Sequence, residues 1–167
     1  AGLLLIRDDE EEALALPAGG AELLCVLQDR EFDARNQLVF RGDGMMAMMN
    51  GFLGDRVLVN GRPQPTTEVD AAWPRVRVLN GSNARIYKLA WSPGVQMAVI
   101  GVDGGLLEKP LQLQALTLEP GQRADLLLDL TGFTEGMEVH LESLAFAEAD
   151  AGSGGVMGMR GGSMRGM

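Results

Sequence analysis

The chain has 167 residues and a formal net charge of −9, with 46% hydrophobic and only 5% aromatic residues. That length fits one main domain with a largely aliphatic core. The acidic balance argues against a nucleic-acid partner, which requires a basic face, and no apolar run approaches the ~20 residues of a membrane-spanning helix.

The first segment combines a short apolar run with a block of acidic residues. Residues 3–6 are predicted to form a strand, and residues 8–12 a solvated linker. Residues 22–28 are apolar almost throughout, which is typical of a strand covered on both faces. Cys25 is the one cysteine, so no internal disulfide can form, and an inert buried thiol is favoured over a nucleophile. Because the chain opens inside an apolar run without an initiator methionine, we expect a fragment or a processed piece.

Two Asn-Gly dipeptides organise the centre of the chain. Asn60-Gly61 and Asn80-Gly81 each follow a short apolar run, and Asn-Gly is the strongest short-range signal for a turn after a strand. Before the second dipeptide, Val76 and Val78 alternate with arginines, as in a strand with one buried and one solvated face. We expect Asn80 and Asn83 to be structural, because asparagine side chains bond nearby backbone and tolerate left-handed dihedral angles.

Further short strands follow at regular intervals. They are predicted at residues 37–40, 86–91, 97–102, 111–118, 124–130 and 138–144. A one-residue slip in the alternation of residues 111–118 indicates a β-bulge, and residues 103–105 indicate a turn. About eight to ten short strands with Gly and Pro turns predict an all-β fold, a Greek-key sandwich or barrel. From residue 147 onward Gly, Ser and Met dominate, which predicts a disordered tail or linker.

Side chains suited to catalysis or metal binding are scarce. His140 is the one histidine and lies in a predicted strand, where a satisfied structural role is favoured over that of a ligand. No P-loop, nucleophile elbow or dinucleotide fingerprint occurs. The sequence therefore predicts no catalytic residue and no resident cofactor within this chain.

Methionine is the unusual feature, since eight of the ten fall in two clusters. Clustered thioethers are soft ligands that suit Cu(I). For the first cluster, Met45, Met46, Met48 and Met49, apolar packing is favoured over a metal site. The second cluster lies in the tail, where no core exists to pack, so Cu(I) contact and neutral filler both remain open. It comprises Met157, Met159, Met164 and Met167.

Four motifs together resemble a known family. They are Gly54-Asp55 with Val59-Asn60-Gly61, Leu79-Asn80-Gly81-Ser82-Asn83-Ala84-Arg85, Val102-Asp103-Gly104-Gly105-Leu106-Leu107 and Pro120-Gly121-Gln122-Arg123-Ala124-Asp125. In this order and spacing they resemble the middle cupredoxin domain of three-domain bacterial multicopper oxidases, and the laccase and cuprous-oxidase group above all. The implied division is residues 1–7 for the final strand of the preceding domain, 8–20 for a linker, 21–146 for the cupredoxin-like domain, and 147–167 for a Gly/Met-rich linker or tail.

The resemblance implies a β-sandwich that bridges flanking first and third cupredoxin domains. In the family those two domains hold the copper ions through His-x-His pairs and a cysteine. The whole enzyme couples one-electron oxidation of phenols or Cu(I) to the reduction of O2 to water. None of those ligand motifs occurs here, so copper is expected only in the parent protein, which the family places in the periplasm or outside the cell.

Three interpretations of function remain open. The first is a ligand-free scaffold domain of an oxidase, without oxidase activity of its own. The second is a copper-free interaction protein of the bacterial cell-division type, a group of relatives that have lost the ligands throughout. The third is a free-standing Cu(I)-binding module that uses the methionine tail, which resembles the substrate-copper segments of the cuprous oxidases.

Overall fold

Strands dominate the computed structural model, which describes residues 3–40, 44–70 and 72–146 but not the side chain of Met46. Within those residues the strands are β1 (Glu22–Phe32), β2 (Leu38–Val39), β3 (Arg56–Val59), β4 (Arg75–Asn80), β5 (Tyr87–Ser92), β6 (Gln96–Val102), β7 (Gly105–Leu113), β8 (Leu116–Leu118), β9 (Arg123–Asp129) and β10 (His140–Ser143). Two short helices, α1 (Asp9–Ala13) and α2 (Met45–Asn50), and a 3-10 turn (Gly19–Ala21) are described as well. No helix in this part of the chain is long and apolar enough to cross a bilayer.

The strands form two sheets. The larger has seven strands in the order β2-β1-β4-β9-β6-β7, with β3 also paired to β1. The smaller contains β10, β5 and β8 in that order. Among the described pairs only β1 and β4 run parallel, and the others are antiparallel. Because both sheets contribute to one shared core, the molecule is the all-β sandwich that the sequence predicts.

The core between the sheets is aliphatic, as the composition predicts. Val76 and Val78 from β4 meet Leu89 from β5 and Leu126 from β9 in one buried cluster. Strand alternation then sends Arg75 to the opposite, outer face of the large sheet. Yet Arg75 is only 1% exposed, so the predicted solvated face is wrong at this position.

The cover over Arg75 comes from the N-terminal segment. Residues 3–8 carry no regular secondary structure, so the predicted strand at residues 3–6 does not form within this chain. The acidic block instead forms α1, where the Asp8 carboxylate caps the helix by accepting a hydrogen bond from the Glu11 amide at 2.8 Å. We call residues 7–21 the strap. Its Glu11 reaches the arginines of β4, so the prediction of a merely solvated acidic segment is wrong for that residue.

The first Asn-Gly dipeptide makes the predicted turn after a strand. Asn60 and Gly61 both have positive φ, 51° and 77°, as a two-residue type I′ turn requires. Two backbone hydrogen bonds between Val59 and Arg62 close it, at 2.9 and 3.0 Å. The Asn60 side chain accepts from the Val26 amide at 2.8 Å and donates to the Leu24 carbonyl at 2.7 Å. It therefore extends the β1–β3 ladder beyond the end of β3.

The predicted strand at residues 111–118 is in fact two strands in different sheets. Leu113 ends β7 in the large sheet, and Leu116 begins β8 in the small one. The slip in the sequence alternation marks this crossing, so the predicted bulge is wrong here. The irregular register occurs instead in β6, between Val99 and Gly101, where its pairings with β7 and β9 both shift.

The first methionine cluster is exposed. Met45, Met48 and Met49 of α2 are 79%, 79% and 75% exposed. The predicted packing role is therefore wrong for these side chains, since they lie on the surface within the described structure. The tail cluster of Met157, Met159, Met164 and Met167 lies outside the described residues.

Candidate functional site

In the described part of the chain, histidine, cysteine and carboxylate side chains do not form a copper site. His140 begins β10, as the predicted strand position requires, but its ring is exposed, with Nε2 3.8 Å from the Glu138 carboxylate. Burial raises the pKa of the Cys25 thiol to about 11, which keeps it protonated at neutral pH. No group of three His, Cys, Asp or Glu residues in the described ranges is placed to hold a metal ion. The residues present do not fit a blue-copper or trinuclear site, which needs converging His and Cys ligands.

The most elaborate polar feature is an ion network between the strap and the outer face of the large sheet. Arg75 lies at its centre. Its Nε donates to both carboxylate oxygens of Asp125, at 2.9 and 3.1 Å, and its Nη2 donates to Oδ2 at 2.5 Å. Its Nη1 donates to Glu11 of the strap at 2.7 Å. The planar guanidinium of arginine can donate two parallel hydrogen bonds to one carboxylate in this way, and the ammonium group of lysine cannot.

Two further arginines complete the network. Arg77 donates to Glu22 through Nε at 2.8 Å and to Glu11 through Nη2. Arg7, at the beginning of the strap, donates to the second oxygen of Glu22. The network therefore joins the strap to β1, β4 and β9, and it fixes the direction in which the chain enters the sandwich.

The network sets the charge states of its members. Burial alone would lower the pKa of Arg75, but its hydrogen bonds and charge interactions with Asp125 and Glu11 outweigh that effect and raise it. Burial would raise the pKa of Glu11, but the hydrogen bond from Arg75 and the charges of Arg75 and Arg77 hold it below its usual range. Both groups are therefore ionised at neutral pH.

Strap docking is expected to weaken in acid. A carboxylate whose pKa is lower in the folded state contributes stability above its unfolded pKa, and that contribution is lost as the pH falls through the folded value. From about pH 5 downward, the unfolding free energy of the wild type should fall more steeply than that of Glu11→Gln. Urea unfolding at a series of pH values measures both. Glu10→Gln on the same helix, an exposed site, is the control, and parallel pH curves for wild type and Glu11→Gln would contradict the prediction.

A small cleft remains beneath the strap. It encloses about 180 Å³ and is lined by charged residues of the network and the strap together with apolar residues of the strap: Arg7, Glu11, Glu12, Arg75, Ala15, Leu16 and Ala18. Ligand sites usually occupy about 300–1,000 Å³, so this one is too small for most metabolites. Its principal charges, Arg75 and Glu11, are already paired with each other. The cleft is therefore part of the docking of the strap and not a substrate site.

The second Asn-Gly dipeptide is a junction between the sheets. Asn80 is completely buried at the end of β4. Its side-chain amide donates to the carbonyls of Arg85 and Leu118, at 2.8 and 2.9 Å, and its Oδ1 accepts from the Ser82 amide at 3.0 Å. The structural role predicted for Asn80 thus has a specific form, because this side chain links β4 to β8 in the opposite sheet. Neither Asn80 nor Asn83 has a positive φ, and Asn83 is exposed.

Beside this junction lies a buried clamp formed by Asp29, Gly54 and Arg85. Asp29 of β1 is fully buried, and its Oδ2 accepts from the Gly54 amide at 2.7 Å and from Arg85 Nε at 3.0 Å. Arg85 Nη2 donates to the Gly54 carbonyl at 2.6 Å. Within the described residues, Asp29 Oδ1 has no hydrogen-bond partner. The clamp attaches the segment between α2 and β3 to β1 and to the loop between β4 and β5.

The comparisons with known proteins agree on the fold. No family model matches the chain. The chain is 36% identical over 140 residues to the cell division protein FtsP of Proteus mirabilis, and the match covers 83% of this chain and 28% of that protein.

Two solved structures extend the comparison. A variant of the McoA multicopper oxidase from the hyperthermophile Aquifex aeolicus is 39% identical, with a TM-score of 0.68, and the match covers 77% of this chain and 29% of that one. A laccase from Pediococcus acidilactici is 36% identical, with a TM-score of 0.74, and the match covers 81% of this chain and 29% of that one.

These similarities define the class of the domain. The chain has a cupredoxin-like β-sandwich fold, as predicted, and it is similar to a part of multicopper oxidases and of the related protein FtsP. It spans less than a third of the length of each of these relatives.

Proposed function

We propose that the chain is the copper-free middle domain of a three-domain multicopper oxidase. Its role is to hold two copper-bearing neighbours in the geometry that electron transfer from substrate to O2 requires. The observation that carries the proposal is the 39% identity to a multicopper oxidase, combined with described side chains that do not fit a copper site. The parent protein oxidises phenols or Cu(I), in the periplasm or after secretion.

The positions where the described chain enters and leaves the sandwich support a middle location. The strap is attached at Glu22, the first residue of β1. The chain leaves after β10, where the Leu144 amide donates to the Lys88 carbonyl near the beginning of β5. Tyr87 at that end contacts Ser82, which in turn accepts from the Asp29 amide. Along β1, Asp29 lies about 23 Å from Glu22, at ~3.3 Å per residue. The two connections therefore lie at opposite ends of the domain.

A second candidate function follows from the curated relatives. FtsP of Proteus mirabilis is named a cell division protein and matches 83% of this chain. In that case the parent is a copper-free interaction protein, and the domain is again a scaffold, but for protein binding. The ion network and the clamp suit either role, so the copper content of the parent protein discriminates between them.

The isolated chain is expected to show no blue-copper spectrum and no oxidase activity. A blue-copper site needs two histidines and a cysteine, and this chain has one histidine and one cysteine. Visible absorption after Cu(II) loading measures this. The full-length gene product, treated in the same way, should bind copper and oxidise a phenol. An intense absorption band in the isolated chain would contradict the proposal, and a full-length protein that stays copper-free would favour the cell-division alternative.

For the tail we propose a soft Cu(I) contact formed by Met157, Met159, Met164 and Met167. Uncharged thioethers select Cu(I) over Zn(II), while Arg160 and Arg165 limit the affinity for any cation. Deleting residues 152–167 from the full-length protein should lower its rate of Cu(I) oxidation several-fold and leave its rate on a phenol unchanged. Steady-state rates on both substrates measure this, with urea unfolding as the control for folding. Equal loss of both rates would contradict the contact.

A further inference from the structure

The helix α2 presents an apolar surface to solvent. Met45, Met48 and Met49 are three and four residues apart, so they share one side of the helix, and each is at least 75% exposed. Leu53, just after the helix, is half exposed. We call these four residues the methionine patch. An isolated helix of six residues is unstable in water, so the rest of the domain must hold this segment in place.

Three sets of contacts anchor the segment. The ring of Phe40, which precedes α2 in the chain, packs against the ring of Phe52, which follows it, with 4.9 Å between their centres. Gly51, which has a φ of 75°, packs so closely on Ala84 that a Cβ added there would collide with it. Gly54 lies against the backbone of Arg30 and is held by the buried clamp described above. A fully buried carboxylate, Asp29, thus takes part in fixing a segment that presents Met45, Met48 and Met49 to solvent.

The patch lies near the point where the chain leaves the sandwich. Ala84, against which Gly51 packs, lies just before β5. The chain leaves the domain near the beginning of the same strand, where Leu144 bonds to Lys88. Glu22, to which the strap is attached, lies at the opposite end of β1. The patch therefore lies at the end from which the chain continues, and the relatives are more than three times as long as the region matched.

We propose that the methionine patch is the docking surface for the domain that follows this one in the same polypeptide. This inference rests on the domain arrangement proposed above. Unbranched, polarisable methionine side chains adapt to an apolar partner surface, and exposed apolar groups at such density mark interaction sites. The partner face is apolar and covers α2 over an area typical of contacts between domains, about 600–1,500 Å².

Methionine oxidation in the full-length protein tests the docking. Hydrogen peroxide converts exposed thioethers to sulfoxides, and peptide mass spectrometry gives the rate at each position. If the patch is covered, Met45, Met48 and Met49 should oxidise about tenfold more slowly than Met137, a half-exposed methionine between β9 and β10. Met97, which is 1% exposed, reports that the domain remains folded.

Charge substitutions give the matched comparison. In the full-length protein, Met48→Glu with Met49→Glu should expel the partner face and raise the oxidation rate of Met45 about tenfold. The control Met137→Glu should leave the rate at Met45 unchanged. Oxidation of the patch as fast as Met137 would overturn the proposal, as would protection that disappears on dilution, which would indicate a second copy of the chain. Copper content is not part of the readout, so a protected patch in a copper-free protein would overturn the oxidase function but not the docking.

Discussion

Replacing Arg75 by methionine is expected to lower the free energy of unfolding by about 3–5 kcal/mol, the usual cost of removing one partner from a buried ion pair. Methionine can fill much of the space but leaves the carboxylates of Asp125, Glu11 and Glu22 close together. Asp125 loses three hydrogen bonds that the arginine supplies. Equilibrium urea unfolding of the 167-residue chain measures the change.

Two further variants separate the buried network from a general effect of charge. Arg123 pairs with Asp103 at 4.0 Å on the surface, where both side chains are about half exposed. Arg123→Met should therefore cost less than ~1 kcal/mol. Adding Asp125→Leu to Arg75→Met should recover about 1–3 kcal/mol, because it removes the half-buried carboxylate that has lost its hydrogen bonds from Arg75. Equal costs for Arg75→Met and Arg123→Met would contradict a central role for Arg75.

Local sequence patterns predicted the fold well where they reflect local backbone geometry. The alternation around Val76 and Val78 predicts which side chains enter the core, and both are buried. The Asn60-Gly61 dipeptide predicts its turn because two successive residues must adopt positive φ. In each case the relevant physics acts between near neighbours in the chain.

The polar clusters could not be predicted in the same way. Arg75 looks like any outward-facing residue of a half-buried strand, and its partners lie 50 and 64 residues away along the chain. The clamp joins Asp29 to Arg85 across 56 residues. The one signal available was Glu11 within a run of acidic residues, and composition alone does not distinguish a docked carboxylate from a solvated one.

The first methionine cluster shows a second limit of prediction from sequence patterns. Hydrophobicity favours burial for the first cluster, yet the described members of α2 are exposed. A sequence pattern reports which side chains avoid water, not whether the covering surface belongs to the same domain. The candidate site that the sequence did suggest, the tail cluster, lies outside the described residues and stays a prediction.

Replacing Asn80 by alanine is expected to cost about 3 kcal/mol, near the upper end of the range for a buried polar group that leaves its partners unsatisfied. The sequence already predicts a structural role, and the structure shows that three groups depend on it. The carbonyls of Arg85 and Leu118 lose their donor, and the amide of Ser82 loses its acceptor. Alanine keeps the backbone hydrogen bonds that this residue makes with Gln122 and Gly121. Because the three side-chain hydrogen bonds are lost, the contact between β4 and the small sheet would loosen.

Asn80→Asp is the more stringent variant. A carboxylate can still accept from the Ser82 amide, but it cannot donate to the two carbonyls and would place a buried charge against them. It should therefore destabilise the chain at least as much as alanine, although it is nearly identical in shape. The control is Asn83→Ala, an exposed position three residues away, which should change the unfolding free energy by less than ~0.5 kcal/mol. If urea unfolding gave Asn80→Asp the stability of the wild type, the two donated hydrogen bonds would not be what holds this junction together.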